Sequence, residues 1–396
     1  MDTSRPVVRL RPKGDARRLR RGYPWIWADE LVLDRRTRRI SPGQLAVLED
    51  HDRAPLGVIG LNTNSKIAGR MLDTDPGASI DTAWIEARLA RAATLRNKLY
   101  PAPYWRWIHA EADGLPGVII DRFGSVAVCQ PNAAWADVLK DAFGDALVAQ
   151  GVETVVMNMA GRARGLEGLS GGVETVRGSL EGPLPVPLNG AIYMADLAQG
   201  QKTGLFYDQR ENQAFTAGLA QGGSVLDVFS HVGGFALAAL AAGATTTLLV
   251  DASEPALALA REGAERMGMA DKIETLSGDG FETMAALATE GRQFDTVISD
   301  PPAFAPAKPA LAAGLRAYEK AARLAATLVA PGGTLVLCSC SHAADLAKFR
   351  QASIAGIGKA GRRARLLRTG FAGPDHPELP SLAESGYLKA LTFSLD

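Results

Sequence analysis

The second half of the chain alternates apolar segments with helical ones. From residue 224 onward, near-continuous apolar runs cover residues 224–229, 245–251, 272–279, 294–300 and 334–340. Helical patterns rich in Ala and Leu separate these runs, and Ser253 with Pro255 predicts the start of one helix. Strands that are buried on both faces of a parallel sheet have this continuous apolar character. The pattern therefore predicts an α/β fold with a doubly wound, Rossmann-like sheet.

The first 182 residues are organised differently and predict two smaller domains. Short candidate strands at residues 7–11, 44–49 and 55–61 indicate a small β-barrel or sandwich over residues 1–75. Residues 76–182 combine candidate helices at 81–99 and 135–148 with strand-like runs, which is typical of a small α+β domain. Because Pro183, Pro185 and Pro187 mark the next boundary, we expect domains at 1–75, 76–182 and 183–396.

The composition excludes several classes of protein. With 47% hydrophobic and 22% charged residues, the chain is expected to fold, and no apolar run approaches the ~20 residues that span a bilayer. The N-terminus lacks the apolar segment of a secretory signal, and three cysteines in 396 residues fit a reducing cytoplasm. Neither the cysteines nor the histidines show metal-site spacing, so we expect no metal. Because no apolar run is long enough to span a bilayer, we also expect no membrane partner.

Positive charge is concentrated at the N-terminus although the net charge is zero. Residues 1–40 contain 12 Lys and Arg against 5 Asp and Glu. Two clusters flank the aromatic residues Tyr23, Trp25 and Trp27, and they consist of Arg17, Arg18, Arg20 and Arg21, and of Arg35, Arg36, Arg38 and Arg39. Such clusters can bind phosphates while aromatic rings stack on bases. The alternative is a solvated basic surface around the core of a small β domain.

Acidic residues follow four successive predicted strands. Ligands of open α/β sheets bind where the carboxyl ends of these strands meet. The glycine turn at residues 230–235 lacks the G-x-G-x-x-G pattern of dinucleotide sites, whereas S-adenosylmethionine (SAM) is cationic and has no diphosphate to cradle. We therefore predict a SAM site. Its candidate residues are Asp227, Phe229, Gly233, Gly234, Phe235, Asp251, Ala252, Asp279, Gly280 and Asp300.

The motif Asp300-Pro-Pro-Ala-Phe304 follows the fourth predicted strand. Its prolines restrain the backbone and lack N–H groups, so the Asp300 carboxylate and nearby carbonyls can be aimed at a planar base. Phe304 can stack on such a base. The alternative is a rigid turn with an aromatic residue in the core.

The fifth predicted strand ends in Cys338-Ser-Cys-Ser341, which places a thiol at the same edge of the sheet. Carbon 5 of a pyrimidine becomes nucleophilic when a thiolate adds to carbon 6, and the thiolate can leave again afterwards. Strand alternation puts Cys338 and Cys340 on the same face and cannot distinguish them. Cys340 lies nearer the carboxyl end and is the better candidate, although a buried cysteine is often only a small hydrophobic residue.

Taken together, the motifs resemble those of bacterial large-subunit ribosomal RNA methyltransferases that modify cytosine C5 and carry an N-terminal PUA domain. The resemblance covers nearly the whole chain. The motifs that carry it are residues 22–27 with 29–31, 112–117 with 121–124, 201–204 with 208–210, 300–304 with Lys308, 339–341, and 375–377 with 387–389.

This resemblance implies SAM as cofactor, ribosomal RNA as partner and Cys340 as the nucleophile, with Asp300 holding the N3 edge of cytosine. The implied substrate-binding residues are Phe304, Lys308, Lys202, Asp208 and Arg210. Two alternatives stay open: methylation of a base nitrogen, and an RNA-binding assembly factor with a vestigial SAM pocket. The sequence leaves the oligomeric state open, and a homodimer is possible.

Overall fold

A computed structural model of the chain describes residues 5–198 and 204–396. Its contacts divide the described residues into two units. Unit 1 comprises residues 5–182, 197–198 and 375–385, and unit 2 comprises 183–196, 204–374 and 386–396. Across the described ranges, no helix is both long and apolar enough to cross a membrane. The three predicted domain boundaries remain a prediction.

The N-terminal part of unit 1 is a β sheet with a short helix. Its elements are β1 (Val7–Arg9), α1 (Ala16–Arg20), β2 (Trp25–Trp27), β3 (Leu45–Glu49), β4 (Pro55–Leu61) and β5 (Ile67–Asp73). The strand order is β1-β3-β4-β5-β2, with β1 and β3 parallel and the other pairs antiparallel. Ile26, Leu48 and Ile59 are fully buried in its core. The predicted small β domain is thus confirmed in its fold.

The second sheet of unit 1 packs against helices. Its elements are α2 (Thr82–Leu99), β6 (Tyr104–His109), β7 (Val118–Phe123), β8 (Val126–Pro131), α3 (Ala134–Val138), α4 (Lys140–Ala149), β9 (Thr154–Asn158), α5 (Arg162–Leu166) and β10 (Val173–Arg177), with strand order β10-β9-β8-β7-β6. The prediction of one helix over residues 135–148 is wrong, because the chain turns at Leu139. Trp135 and Phe143 are eight positions apart, so along one continuous helix they would be separated by ~12 Å. The turn brings the rings of Trp135 and Phe143 to 5.7 Å in the core.

Unit 2 begins with a hairpin that the sequence analysis treated only as a boundary. It consists of β11 (Leu184–Leu188) and β12 (Ala191–Ala195), which pair antiparallel. Pro185 and Pro187 are exposed, while Val186 between them is buried. Proline lacks the N–H that a central strand needs, but an edge strand tolerates it. Because prolines are unusual in strands, the sequence analysis missed β11, although its exposed and buried residues alternate regularly.

The main sheet of unit 2 has the strand order β15-β14-β13-β16-β17-β19-β18. Its elements are α6 (Arg210–Leu219), β13 (Ser224–Val228), α7 (Gly234–Ala241), β14 (Thr246–Asp251), α8 (Glu254–Arg266), β15 (Ile273–Ser277), α9 (Gly280–Thr289), β16 (Phe294–Ser299), α10 (Leu311–Thr327), β17 (Val329–Ser339), α11 (Leu346–Lys359), β18 (Ala364–Gly370) and β19 (Lys389–Leu395). Strands β13 to β17 are parallel, as predicted. The chain reverses its strand order between β13 and β16, which is where such sheets bind ligands.

Two features of this sheet differ from the sequence prediction. Strands β18 and β19 were not predicted; β19 pairs antiparallel with β17, and β18 pairs antiparallel with β19 at the edge of the sheet. Strand β17 also begins at Val329, before the Pro331-Gly-Gly333 turn. The register against β16 jumps from Val329 to Thr334, so the turn bulges out of the strand instead of preceding it.

Candidate active site

The turn after β13 has an unusual backbone. Phe229 and His231 have φ angles of 63° and 51°, and Gly233 follows with φ 80°. Positive φ is rare for residues other than glycine and marks a backbone held in place by its surroundings. The N–H groups of Phe229 and Ser230 both donate to the Val250 carbonyl, at 2.8 and 3.1 Å. The turn is thereby fastened to the end of β14.

Asp227 lies beneath this turn and is almost fully buried, with 1% of its surface exposed. Its Oδ2 accepts a hydrogen bond of 3.0 Å from the Ala236 N–H, while Oδ1 has no hydrogen-bond partner among the described residues. Burial raises the pKa of Asp227 to about 7, and the charges of Asp300 and Asp251 add to the shift. A buried carboxyl with an unused oxygen and acidic neighbours suits a cationic ligand.

Asp251 ends β14 and is held by the neighbouring backbone. Its Oδ2 accepts from the His231 N–H and its Oδ1 from the Ser253 N–H, both at 2.8 Å. A carboxylate oxygen can accept two hydrogen bonds, so both oxygens retain capacity for a ligand's hydroxyl groups. The ring of His231 meets that of Phe206 at 5.1 Å. The structure thus gives His231 a backbone role in orienting Asp251.

The other predicted cofactor residues occupy different environments. Asp279 is exposed and caps α9, accepting from the Phe281 and Glu282 N–H groups at 2.9 and 3.0 Å. Phe235 is 3% exposed and packs in the core of the sheet, whereas Ala252 is exposed.

Two of the predicted glycines lie where a side chain would collide. A Cβ at Gly280 would lie 2.7 Å from the Phe229 ring, and one at Gly234 would lie 2.6 Å from Gln213 Nε2. These glycines therefore allow close approach of neighbouring side chains at the turn.

Aromatic side chains surround the ends of β13 and β16. The rings of Phe281 and Phe304 stack at 5.7 Å, and Phe229 meets them edge-on at 6.0 and 6.4 Å. Phe304 also contacts Tyr318 at 5.0 Å. Phe304 is only partly buried: it packs against its neighbours and keeps some of its surface accessible, and its stacking on a base stays a prediction.

Asp300 follows β16 and is joined to a residue that the sequence analysis did not select. Its Oδ2 accepts a 2.9 Å hydrogen bond from Gln209 Nε2. Gln209 Oε1 in turn accepts from Asn212 Nδ2 at 2.7 Å. Gln209 is 3% exposed, and it was detectable only as the middle residue of the Asp208-Gln-Arg210 motif.

The segment around Cys340 is fixed by a buried network. Ser339 Oγ donates to the Tyr318 hydroxyl at 2.9 Å, and this hydroxyl bonds Ser341 Oγ at 2.7 Å. Ser341 Oγ also accepts from the Ala305 N–H at 2.9 Å, which joins the segment to the loop after Asp300. One hydroxyl therefore holds both neighbours of Cys340 and fixes the backbone on either side of it.

The two cysteines differ in environment. Cys338 is 1% exposed and packs in the core, where burial, with the charge of Asp300 adding to it, raises the pKa of its thiol well above the usual value. Cys340 is half-buried and lies beyond the end of β17. A thiol that stays neutral is a poor nucleophile, so the structure favours Cys340 where alternation could not decide.

The predicted substrate-binding residues differ in their exposure. Asp208 is buried, and its Oδ2 accepts from the Tyr387 hydroxyl at 2.5 Å. Arg210 is 4% exposed, with its guanidinium 5.4 Å from the centre of the Tyr207 ring. Lys308 is exposed and begins a short 3-10 helix. Lys202 lies outside the described residues.

In unit 1, most of the arginines in the two basic clusters are exposed. Arg18 is the half-buried exception: it pairs with Glu30 at 2.8 Å and lies 4.0 Å over the Tyr23 ring. Arg20 pairs with Asp50 at 2.8 Å. The aromatic residues between the clusters, Tyr23, Trp25 and Trp27, are all partly buried, so stacking on bases stays a prediction for them.

Two known families match the chain. Residues 172–394 match the family described as S-adenosylmethionine-dependent methyltransferase, and residues 8–74 match the PUA-like domain. These matches confirm the predicted Rossmann-like methyltransferase domain, the PUA-like domain and SAM as the cofactor. The structure fits that cofactor, because Asp227 offers an unused buried oxygen and Gly234 a close-packed turn.

Relatives match over the full length. A ribosomal RNA large subunit methyltransferase of Deinococcus radiodurans is 34% identical over 410 residues, covering 100% of this chain and 99% of the relative. Ribosomal RNA large subunit methyltransferase I of Pseudoalteromonas atlantica is 32% identical, covering 97% and 98%.

Solved structures share the fold. A candidate SAM-dependent methyltransferase from Streptococcus mutans has a TM-score of 0.80 at 19% identity, covering 98% of this chain and 100% of that one. SMU.776, a candidate methyltransferase solved with SAH, has a TM-score of 0.81 at 20% identity, covering 98% and 99%. From the family match and the full-length relatives, the chain belongs to the PUA-domain-containing, SAM-dependent methyltransferase family that includes the ribosomal RNA large subunit methyltransferases.

Proposed function

We propose that this protein methylates large-subunit ribosomal RNA at carbon 5 of a cytosine, through a covalent adduct on Cys340. The observation that carries the proposal is the network that turns Ser339 and Ser341 inward and leaves the half-buried Cys340 between them. The names of the full-length relatives support the ribosomal RNA substrate.

The acids at the sheet edge would hold the cofactor. When bound, SAM supplies an electrophilic methyl group. The unused oxygen of Asp227 would accept from its ammonium group, and the oriented carboxylate of Asp251 would accept from the ribose hydroxyls. Phe229 and Phe281 offer apolar surface beside these acids.

The chain's own residues then activate the base. The Cys340 thiolate forms a bond to carbon 6, and the electron pair of the 5,6 double bond becomes available at carbon 5. Asp300, held by Gln209, would bind the N3 edge through a proton shared between its carboxyl group and N3, which offsets the negative charge that the thiolate adds to the ring. After carbon 5 has gained its methyl group, a base takes the carbon 5 proton, the electron pair of that C–H bond restores the 5,6 double bond, and the carbon–sulfur bond breaks. The thiolate is thereby regenerated.

The target cytosine must leave any helical stack to reach the half-buried thiol of Cys340. The exposed arginines of the two N-terminal clusters would bind the phosphates of the surrounding RNA. Lys308 is exposed after the Asp300 motif and would serve the same purpose near the target.

The test compares Cys340→Ala with Cys338→Ala, using labelled SAM, unmodified ribosomal RNA and nucleoside analysis. We expect 5-methylcytidine from the wild-type protein and a loss of about a thousandfold or more for Cys340→Ala, because the adduct cannot form. Cys338→Ala should keep activity within about tenfold, since the Cys338 thiol is buried in the core. Calorimetric SAM binding, unchanged in both variants, is the control for folding.

Three outcomes contradict the proposal. Label on a base nitrogen with an active Cys340→Ala protein would indicate nitrogen methylation, which needs the Asp300 motif but no thiol. RNA binding without turnover would indicate an assembly factor. Loss of activity in Cys338→Ala alone would mean that the wrong cysteine has been assigned.

A further inference from the structure

A buried lysine lies beside the segment that carries Cys340. Lys389 is the first residue of β19, pairs with Ser339 across the β17–β19 ladder and is 7% exposed. Its ammonium group donates to the Ser341 carbonyl at 2.7 Å and to the Ala344 carbonyl at 2.9 Å. One cation therefore binds the backbone immediately after Cys340 at two points.

Burying an ammonium group is costly unless other groups compensate its charge. Two carbonyls satisfy two of the three N–H groups, and no described carboxylate lies within ion-pair distance of Lys389. Burial lowers the pKa of Lys389, and the charges of Cys340 and Asp345 oppose this shift. Electrostatic interactions are reciprocal, so a positive charge here favours the anionic form of its neighbours.

The acidic groups around this segment favour the neutral thiol. Tyr318 from α10 adds no charge at neutral pH, because burial raises its pKa, and a charge on Cys340 raises it further. Cys338 interacts with Cys340, and Asp300 and Asp227 lie close to Cys338. His342, whose ring meets Tyr387 at 5.7 Å, and Asp345, which caps α11, complete the surroundings. Within the described part of this segment, Lys389 is the buried cation that opposes these acids.

We propose that Lys389 stabilises the thiolate form of Cys340 and fixes the loop that carries it, as a positioning residue for the reaction. The inference rests on the proposed function in taking Cys340 as the nucleophile. Thiolates at active cysteines are commonly stabilised by a nearby cation. Here the cation is Lys389, the first residue of β19, which lies 49 residues beyond Cys340 in the sequence.

The test measures alkylation of Cys340 by iodoacetamide from pH 5 to 10, by mass spectrometry of its peptide. Cys129 and Cys338 are buried and can be distinguished by their own peptides. In Lys389→Gln, which keeps a donor without the charge, we expect the midpoint to rise by about one pH unit. The rate at pH 7 should then fall about tenfold, with the plateau at high pH unchanged. Lys389→Arg should restore most of the rate.

Lys359→Gln is the matched control, because Lys359 is exposed and pairs with Glu319. Its titration should equal that of the wild-type protein. A Lys389→Gln midpoint equal to wild type would overturn the inference, even if the rate changed at every pH, because that would indicate a structural role alone.

Should Lys389→Gln fail to fold, the reciprocal measurement decides. The Lys389 ammonium, followed by NMR with labelled lysine, should titrate at a lower pH in Cys340→Ala than in the wild-type protein. Equal titration would refute the proposal. Because neither readout requires methyl transfer, nitrogen methylation would defeat the proposed function while leaving the dependence of Cys340 on Lys389 measurable.

Discussion

At the scale of single residues, the site buries the carboxyl group of Asp227 in surroundings that disfavour its charged form. Asp227 is buried against two further acids, and its pKa is raised to about 7 from an ordinary value of 3.8. The cofactor-free protein therefore holds a proton that the unfolded chain would release. The contribution of Asp227 to the free energy of unfolding, measured as the difference between the wild-type protein and Asp227→Asn, should fall as pH rises from about 4 to 7, because Asp227 binds more protons in the native state over that range.

Cofactor binding should depend on pH with the opposite sign. A cationic ligand requires the Asp227 carboxylate, so SAM affinity should rise with pH and level off above about 7. Below that value we expect a loss approaching tenfold per pH unit, measured by calorimetry between pH 5.5 and 8.5.

Asp227→Asn is the control for this dependence. The amide oxygen can still accept from the Ala236 N–H, but it carries no charge. SAM should bind this variant more weakly at pH 8 and with little change across the range. A wild-type affinity that does not vary between pH 6 and 8 would show that Asp227 is not the group that titrates.

At the scale of elements, the turn between β13 and α7 shapes the cofactor site through its backbone. Gly233 has φ 80°, and a Cβ there would lie 3.0 Å from Leu249 and 3.1 Å from Leu237. Gly233→Ala should lower the free energy of unfolding by about 2 kcal/mol, from left-handed backbone and crowding together. Urea denaturation would measure the loss, and SAM affinity should fall with it.

Gly218 near the end of α6 provides the matched control. No atom lies within 4 Å of its ideal Cβ, and its backbone is helical. Gly218→Ala should therefore stabilise the protein by roughly 0.5–1 kcal/mol through helix propensity. If both glycine variants changed stability in the same direction, the conformational argument for Gly233 would be wrong.

At the scale of the whole molecule, unit 1 joins its two sheets through buried ion pairs. Arg70 of β5 donates to Glu111 at 3.0 Å and to Glu167 at 3.1 Å. Glu167 is 5% exposed and also accepts from Asn62 and Ser65, while Glu111 accepts from Trp25. Charges of both signs are thus mutually compensated between the two sheets.

Arg70→Met should destabilise unit 1 by about 3–5 kcal/mol, because it leaves the buried Glu167 and the mostly buried Glu111 without their cation. Tryptophan fluorescence during urea unfolding reports this unit directly, since all six tryptophans lie within residues 25–135. Lys140→Met is the control: its pair with Glu174 is exposed and should contribute less than about 1 kcal/mol. Equal losses for the two variants would contradict the role assigned to Arg70.

Local sequence patterns were sufficient for the parallel strands, the glycine turn, the acids at the strand ends and the Ser-Cys-Ser segment. These depend on apolar runs, backbone restrictions and spacing, all of which neighbouring residues determine. The same patterns failed for the antiparallel strands β18 and β19. Burial of β19 depends on its pairing with β17, some fifty residues away, and β18 is largely exposed at the edge of the sheet.

The sequence by itself determined which residues could do chemistry, and only the tertiary structure decided which of them meet. Cys338 and Cys340 are equivalent by alternation, and only the packing of the sheet separates a core thiol from a half-buried one. Gln209 and Lys389 gained their roles because distant segments carry them to Asp300 and to the Cys340 loop. Burial and charge compensation are properties of the assembled neighbourhood, so no local pattern could specify them.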